Sequence, residues 1–200
     1  HDFPTECPSC STDTNVEYGD ESGMAELECP NLYCKERAVS TLCHFLTTLG
    51  IKGLAESTVG KLLESGLVKE PGDFFGLTIK KLSDVLSKRV AILTIARIHM
   101  IKSPEKVKDN TTLVRLIKEA KKEKKRIKAG LLLASLGVES VGKTMGKNLV
   151  NHFGDFDKIR NASVADMEQA DKVGPSAASG LHTFFSNSGK VVDRLLKYIE

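Results

Sequence analysis

The sequence predicts a mainly α-helical protein in which a small four-cysteine ribbon precedes tandem pairs of helices joined by tight turns. Two observations carry this. Four cysteines near the N-terminus are spaced as a C-x2-C and a C-x4-C pair. The remainder repeats one pattern, an apolar helical stripe, a short turn containing glycine, and a second apolar stripe.

Two hundred residues allow one or two domains with a sizeable core. Trp is absent, aromatics are few, and the formal net charge is only +3. Such a balance gives no global basic signal, so binding to a polyanion requires local clusters of charge. No apolar run is long enough to span a bilayer, and the N-terminus lacks a signal-peptide pattern. A start at His1 reads as a processed chain or, preferably, as an excised fragment.

Residues 1–36 are loop-rich. Cys7-Pro8-Ser9-Cys10 and Cys29-Pro30-Asn31-Leu32-Tyr33-Cys34 flank two short strand-like stretches, Val16–Tyr18 and Ala25–Glu28, with a glycine-bounded turn at 19–23. A segment this small cannot hold itself together by apolar burial. Zinc bound by Cys7, Cys10, Cys29 and Cys34 would contribute on the order of 10 kcal/mol of folding free energy. Four thiolates close the tetrahedral shell, so such a metal is structural. Two disulfides or free thiols are the alternative reading; the paired spacing favours a metal in a reducing compartment. Cys43 falls in an apolar pattern and reads as a small buried residue.

Residues 37–200 read as helices. Val39, Leu42, Cys43, Leu46 and Leu49 share a helical face, and the first turn follows at Lys52-Gly53-Leu54. A second helix carries Val59, Leu62 and Leu63, and Gly66 is placed to end it in a left-handed conformation. Ala55 stands where a second turn glycine would be ideal. Phe74, Phe75, Leu77 and Ile79 are apolar anchors. Leu82, Val85 and Leu86 suggest a short helix, and Val90 to Met100 another, with Ser87-Lys88-Arg89 as the turn. That turn has no glycine and reads as a worn copy, in which Lys88 and Arg89 either reach a phosphate or simply face solvent. Residues 103–110 form a polar linker. Thr111 or Thr112 then caps a basic helix over about 112–130, with Leu113, Leu116, Ile117, Ala120, Ile127 and Leu131 on one face. Its other face is Lys118, Lys121, Lys122, Lys124, Lys125, Arg126 and Lys128, a solvated surface or a nucleic-acid contact.

The best copy runs from Leu131 to Gly154. Gly142 opens its second helix, where amides without intrahelical acceptors and the helix dipole make an anion seat beside Lys143, with Val141 as an apolar plug. An ordinary helical corner is the plainer explanation of any single copy. The last copy places Lys172-Val173-Gly174 at the turn and Pro175 in the next helix's first turn. Ala177, Ala178, Leu181, Phe184 and Phe185 are its buried side. A closing helix from about Lys190 turns Val191, Val192, Leu195, Leu196 and Ile199 inward. The copies form two pairs, about 51–100 and 131–185. Pairs related by a rough two-fold axis suit a grip on both strands of a duplex without base reading.

The combination resembles the C-terminal half of bacterial-type NAD-dependent DNA ligases. It rests on the four-cysteine knuckle with Cys-Pro-Asn-x-x-Cys at 29–34, His44-Phe45, Ile51-Lys52-Gly53-Leu54, Leu136-Gly137-Val138 with Val141-Gly142, His152-Phe153-Gly154, and Val173-Gly174-Pro175 with Phe184-Phe185. The resemblance spans nearly the whole chain. It implies a zinc finger followed by tandem helix-hairpin-helix repeats that clamp nicked double-stranded DNA in a bacterial cytoplasm, at the nucleoid. NAD and the catalytic residues would belong to other domains of a parent ligase, since the Lys-x-Asp-Gly adenylation motif is absent here. No catalytic residue, membrane contact or oligomer is therefore expected of this chain. The DNA-binding candidates are Lys52, Gly53, Leu54, Lys88, Arg89, Val141, Gly142, Lys143, Lys172, Val173 and Gly174. The competing class is a non-enzymatic, structure-specific DNA-binding or repair-scaffold module; a third is a protein-interaction bundle without a DNA role.

Overall fold

The computed structural model describes residues 4–18, 25–31, 34–122 and 127–197. The expected ribbon is present. Strand β1 (Asn15–Tyr18) pairs antiparallel with β2 (Ala25–Glu28), Val16 opposite Leu27. The turn expected at 19–23 lies outside the described residues. Cys34 then opens α1 (Lys35–Thr48), its carbonyl accepting the Arg37 and Ala38 amides at 2.9 and 2.7 Å. Arg37 Nη1 donates to the Cys29 carbonyl at 2.7 Å. Arg37 thus ties the start of α1 to the residue that follows β2.

After α1 come α2 (Glu56–Glu64), reversed at left-handed Gly66 (φ +72°), and a 3-10 turn over Pro71–Gly76 that buries Phe74. Helices α3 (Ile79–Ser83) and α4 (Lys88–Ile98) follow. Ser87-Lys88-Arg89 is not a turn: Ser87 is the N-cap, its carbonyl accepting the Ala91 amide at 2.9 Å, and Lys88 and Arg89 open α4. Burial along the apolar stripe begins at Ala91, since Val90 itself is exposed, whereas the helical ladder starts earlier.

The 103–110 stretch is more than a linker, because Pro104–Lys106 forms a 3-10 turn with Pro104 buried. Helix α5 (Asn110–Lys122) is capped by Asp109 rather than by Thr111 or Thr112. The Asp109 carboxylate accepts the amides of Thr111 and Thr112 at 3.1 and 2.7 Å. A carboxylate matches two first-turn donors and the dipole better than a hydroxyl. Leu113 and Ile117 are buried as expected. The single basic helix expected over 112–130 does not form. Helix α5 is described as far as Lys122, and Lys128 is an extended N-cap (φ −63°, ψ 131°) for a new helix, α6 (Ala129–Ser135). Lys124, Lys125 and Arg126 of the expected basic face lie outside the described residues.

The separate start of α6 is explained by what it packs on. An ideal Cβ at Gly130 would sit 2.9 Å from the Gly146 carbonyl oxygen, and one at Gly146 would overlap the Gly130 carbonyl oxygen. Helix α6 therefore crosses α7 (Lys143–Phe153) backbone to backbone, and neither position tolerates a side chain. Short α8 (Phe156–Asn161) and α9 (Val164–Met167) lead to α10 (Pro175–Asn187) and α11 (Gly189–Leu196). Val192 and Leu195 are buried, whereas Ile199 lies outside the described residues. Arg194 of α11 reaches back to Glu70 at 2.7 Å and Asp73 at 3.4 Å. One continuous core runs from Leu42 to Leu195.

The repeat is visible in the N-caps. The second helices of the four hairpins start after Ala55, Ser87, Gly142 and Gly174, and the caps within each pair are 32 residues apart.

Gly146→Ala should destabilise the protein by about 2 kcal/mol or more through overpacking, read by chemical denaturation. Three helix-start carboxylates sit below the usual carboxylate range. Bonds from Thr112 lower Asp109, the Lys158 amide lowers Asp155, and the Ser163 side chain lowers Asp166. A carboxyl whose folded value is depressed contributes fully above its unfolded value, about 3.9, and loses that contribution as pH falls through the folded value. The thermal midpoint should therefore drop below about pH 4, and replacing all three by Asn should flatten that acid limb.

Candidate nucleic-acid interface and metal centre

The Sγ atoms of Cys7, Cys10, Cys29 and Cys34 lie within 4.8 Å of one another, with Cys7–Cys34 at 3.7 Å and Cys10–Cys29 at 3.5 Å. A disulfide needs sulfurs about 2.05 Å apart. Four metal–sulfur bonds of about 2.3 Å in a tetrahedron put neighbouring sulfurs about 3.8 Å apart. The spacing therefore fits one metal ion and no disulfide. The C-x2-C knuckle is shaped by its backbone, the Cys7 carbonyl accepting the amides of Cys10 and Ser11 at 3.3 and 2.8 Å. Cys34 is the N-cap of α1. Bonds from the Thr12 side chain and amide bring Cys10 down to about 6, whereas burial pushes Cys29 up to about 12. A coordinated cation would deprotonate the thiols that bind it. Cys43 stands apart on α1, half-buried, its thiol raised by burial and then by the Glu56 carboxylate.

The hairpin tips are built alike. Val141 and Val173 are buried, and their amides donate to the Val138 and Ala170 carbonyls at 3.1 and 3.2 Å. The next residue, Gly142 or Gly174, is an exposed N-cap whose missing Cβ would meet nothing within 4 Å. The first helical bonds are Gly146 N to the Gly142 carbonyl (2.9 Å) and Ala178 N to the Gly174 carbonyl (3.0 Å). Amides before these, at Lys143, Thr144 and Met145 and at Ser176 and Ala177, precede any intrahelical acceptor. Two residues ahead of each glycine cap the chain is left-handed, at Ser140 (φ +62°) and Lys172 (φ +60°).

This register revises the first hairpin. Gly53 (φ +81°) answers to Ser140 and Lys172, and Ala55 is the N-cap corresponding to Gly142. Leu54 is the half-buried plug, and Lys52 is exposed. The second hairpin is worn in a specific way, since Val85 at the matching position is not left-handed. Lys88 is exposed, but Arg89 is tied inward. Its guanidinium donates to Asn110 Oδ1 at 2.7 Å and to the Val107 carbonyl at 2.6 Å, so it does not project toward a ligand.

The last two hairpins embrace reciprocally. Asn148 Nδ2 of α7 donates to the Asp171 carbonyl in the fourth turn at 2.8 Å. A Cβ at Gly180 of α10 would sit 3.2 Å from Val138 in the third turn. Asn148 and Gly180 both stand six residues beyond their N-caps, so each second helix meets the other's turn at the same place, as an approximate two-fold axis requires. Residues 131–191 match the helix-hairpin-helix motif. The helix-hairpin-helix region also carries a groove of about 470 Å3, where Lys128, Lys143 and Lys147 surround Leu131, Val150 and Phe156. Sequence reasoning passes over Lys147, although its place one turn beyond Lys143 was available. Over 199 aligned residues the chain is 29% identical to a DNA ligase of Heliobacterium modesticaldum, covering 96% of this chain and 26% of that protein. The chain thus spans about a quarter of that relative's length. Among the described residues no helix is long and apolar enough to cross a membrane.

Purified protein should carry one tightly held metal ion per chain. Cys7→Ser should abolish stoichiometric metal by elemental analysis, and Cys43→Ala should not change it.

Proposed function

We propose that the chain is the duplex-clamping region of an NAD-dependent DNA ligase, binding the sugar-phosphate backbone without reading sequence. The observation that carries this is the reciprocal pair of helix-hairpin-helix tips, each opening a helix on an exposed glycine beside an exposed lysine, Lys143 or Lys172. Open amides and the helix dipole bind phosphate oxygens. Two tips about a two-fold axis suit the two antiparallel strands of a duplex. Lys147 and Lys128 extend the positive surface from the third tip along the groove. Similarity to a DNA ligase over 96% of the chain supports the same reading. Gly53, Leu54 and Lys52 form a weaker contact, because Ala55 and Glu56 replace the glycine cap and the lysine.

In this reading residues 1–36 are a finger whose metal is zinc, suited to a closed set of four thiolates with no redox chemistry, and residues 37–200 are the helix-hairpin-helix domain. Adenylation with NAD, transfer to the 5′-phosphate and nick sealing in replication and repair belong to other domains of the parent, which acts in a bacterial cytoplasm. The absent Lys-x-Asp-Gly motif equally suits a non-enzymatic, structure-specific DNA-binding module. That motif upstream in the parent reading frame favours the ligase.

Titration of nicked and intact duplex at two salt concentrations tests the proposal. Affinity should fall steeply with salt for both. Gly142→Val and Gly174→Val should each weaken binding roughly tenfold by blocking amide–phosphate bonds. Lys143→Ala should reduce the salt slope by about 1. Affinity unchanged in both folded valine variants would sink the proposal.

A further inference from the structure

We propose that Arg97 is a phosphate-binding residue of the first hairpin, supplying from α4 the cation that the start of α2 lacks. This rests on the duplex-binding reading above.

The described arginines are otherwise engaged. Arg37 bonds the Cys29 carbonyl, Arg89 bonds Asn110 and Val107, and Arg115 pairs with Glu119. Arg160 pairs with Asp193, and Arg194 with Glu70 and Asp73. Arg97 is half-buried, and its guanidinium has no hydrogen-bond or ion-pair partner among the described residues. A guanidinium presents five donors in a planar fork, and those of Arg97 are left open to an external acceptor. Its place in the last turn of α4 accounts for a positive charge there through the helix dipole, but leaves the donors unused.

Its location identifies the anion. An ideal Cβ at Gly53 would lie 2.9 Å from Arg97 Nε, 3.3 Å from Cζ and 3.4 Å from Cδ. The guanidinium therefore lies against the exposed turn of the first hairpin, in space that the glycine leaves free. In the third hairpin the helix opens with Lys143; here it opens with Glu56, whose carboxylate repels phosphate. Lys52 on the turn and Arg97 beside it restore the positive sign at this tip. A planar fork suits bidentate contact with the oxygens of a backbone phosphate.

The test uses the full chain and a fluorescently labelled nicked duplex. Arg97→Gln keeps most of the stem over Gly53 and removes the charge. It should weaken binding roughly tenfold and lower the salt slope by about 1, with the thermal midpoint unchanged. Arg97→Lys should restore the slope but not the full affinity. Unaltered affinity and slope in Arg97→Gln, while Gly142→Val is impaired, overturn this inference alone. Failure of the wild-type chain to bind any duplex overturns the functional reading and this inference with it. If Arg97→Gln does not fold, arginine-selective dicarbonyl labelling of the wild-type chain decides. Protection of Arg97 by duplex supports the assignment, and equal labelling with and without duplex overturns it.

Discussion

The proposed phosphate contact needs the first-turn amides of α7 and α10 to stay without protein acceptors while the turns before them are held rigid, and the two tips are built in that way. Rigidity comes from Val141 and Val173, buried as plugs and bonded through their amides to the preceding turn. Openness comes from Gly142 and Gly174, whose Cβ positions meet nothing. The backbone contact of Gly130 with Gly146 draws α6 onto α7 closely enough to brace the tip between them. The contacts of Asn148 with Asp171 and of Gly180 with Val138 then lock the two tips into one body. An anion seat of fixed geometry avoids ordering its donors when it binds, which is where preorganisation strengthens affinity.

The four hairpins share a frame but not a surface. Gly142 with Lys143 and Gly174 with Lys172 combine open amides with positive charge. Ala55 with Glu56 does not, and at Ser87 the left-handed turn is missing and Arg89 is drawn inward. The common core accommodates this divergence because each hairpin buries the same kind of apolar face whatever its tip presents. The cysteine cluster stands at the other end of the logic. The four clustered thiols are placed to hold a metal that would fix the ribbon, and Cys34, one of them, is the N-cap of α1.

Much of this could be read from the residues. The cysteine spacings, the strands around 15–28, the glycine caps at 142 and 174 and the apolar stripes are local signals, and local geometry honours them. What escaped depends on competition or distance. Thr111 and Thr112 are good caps, but Asp109 offers two oxygens to two amides. Ile127 and Leu131 continue the stripe of α5 in phase, yet α6 starts afresh because Gly130 has to meet Gly146. Ser140 and Lys172 adopt left-handed backbone without glycine, which no composition rule flags. Whether an arginine faces inward, as Arg89 does, or lies over a turn 44 positions away in the chain, as Arg97 does over Gly53, is settled only by tertiary packing.

Phosphate binding at these tips would rest on specific main-chain nitrogens, and amide NMR reads them individually. Adding a short nicked duplex to the labelled chain should move and protect the amides of Lys143, Thr144, Met145, Ser176 and Ala177 ahead of all others. Binding that leaves those amides untouched, and perturbs instead the lysine face of α5, would show that the glycine-capped tips do not hold the duplex.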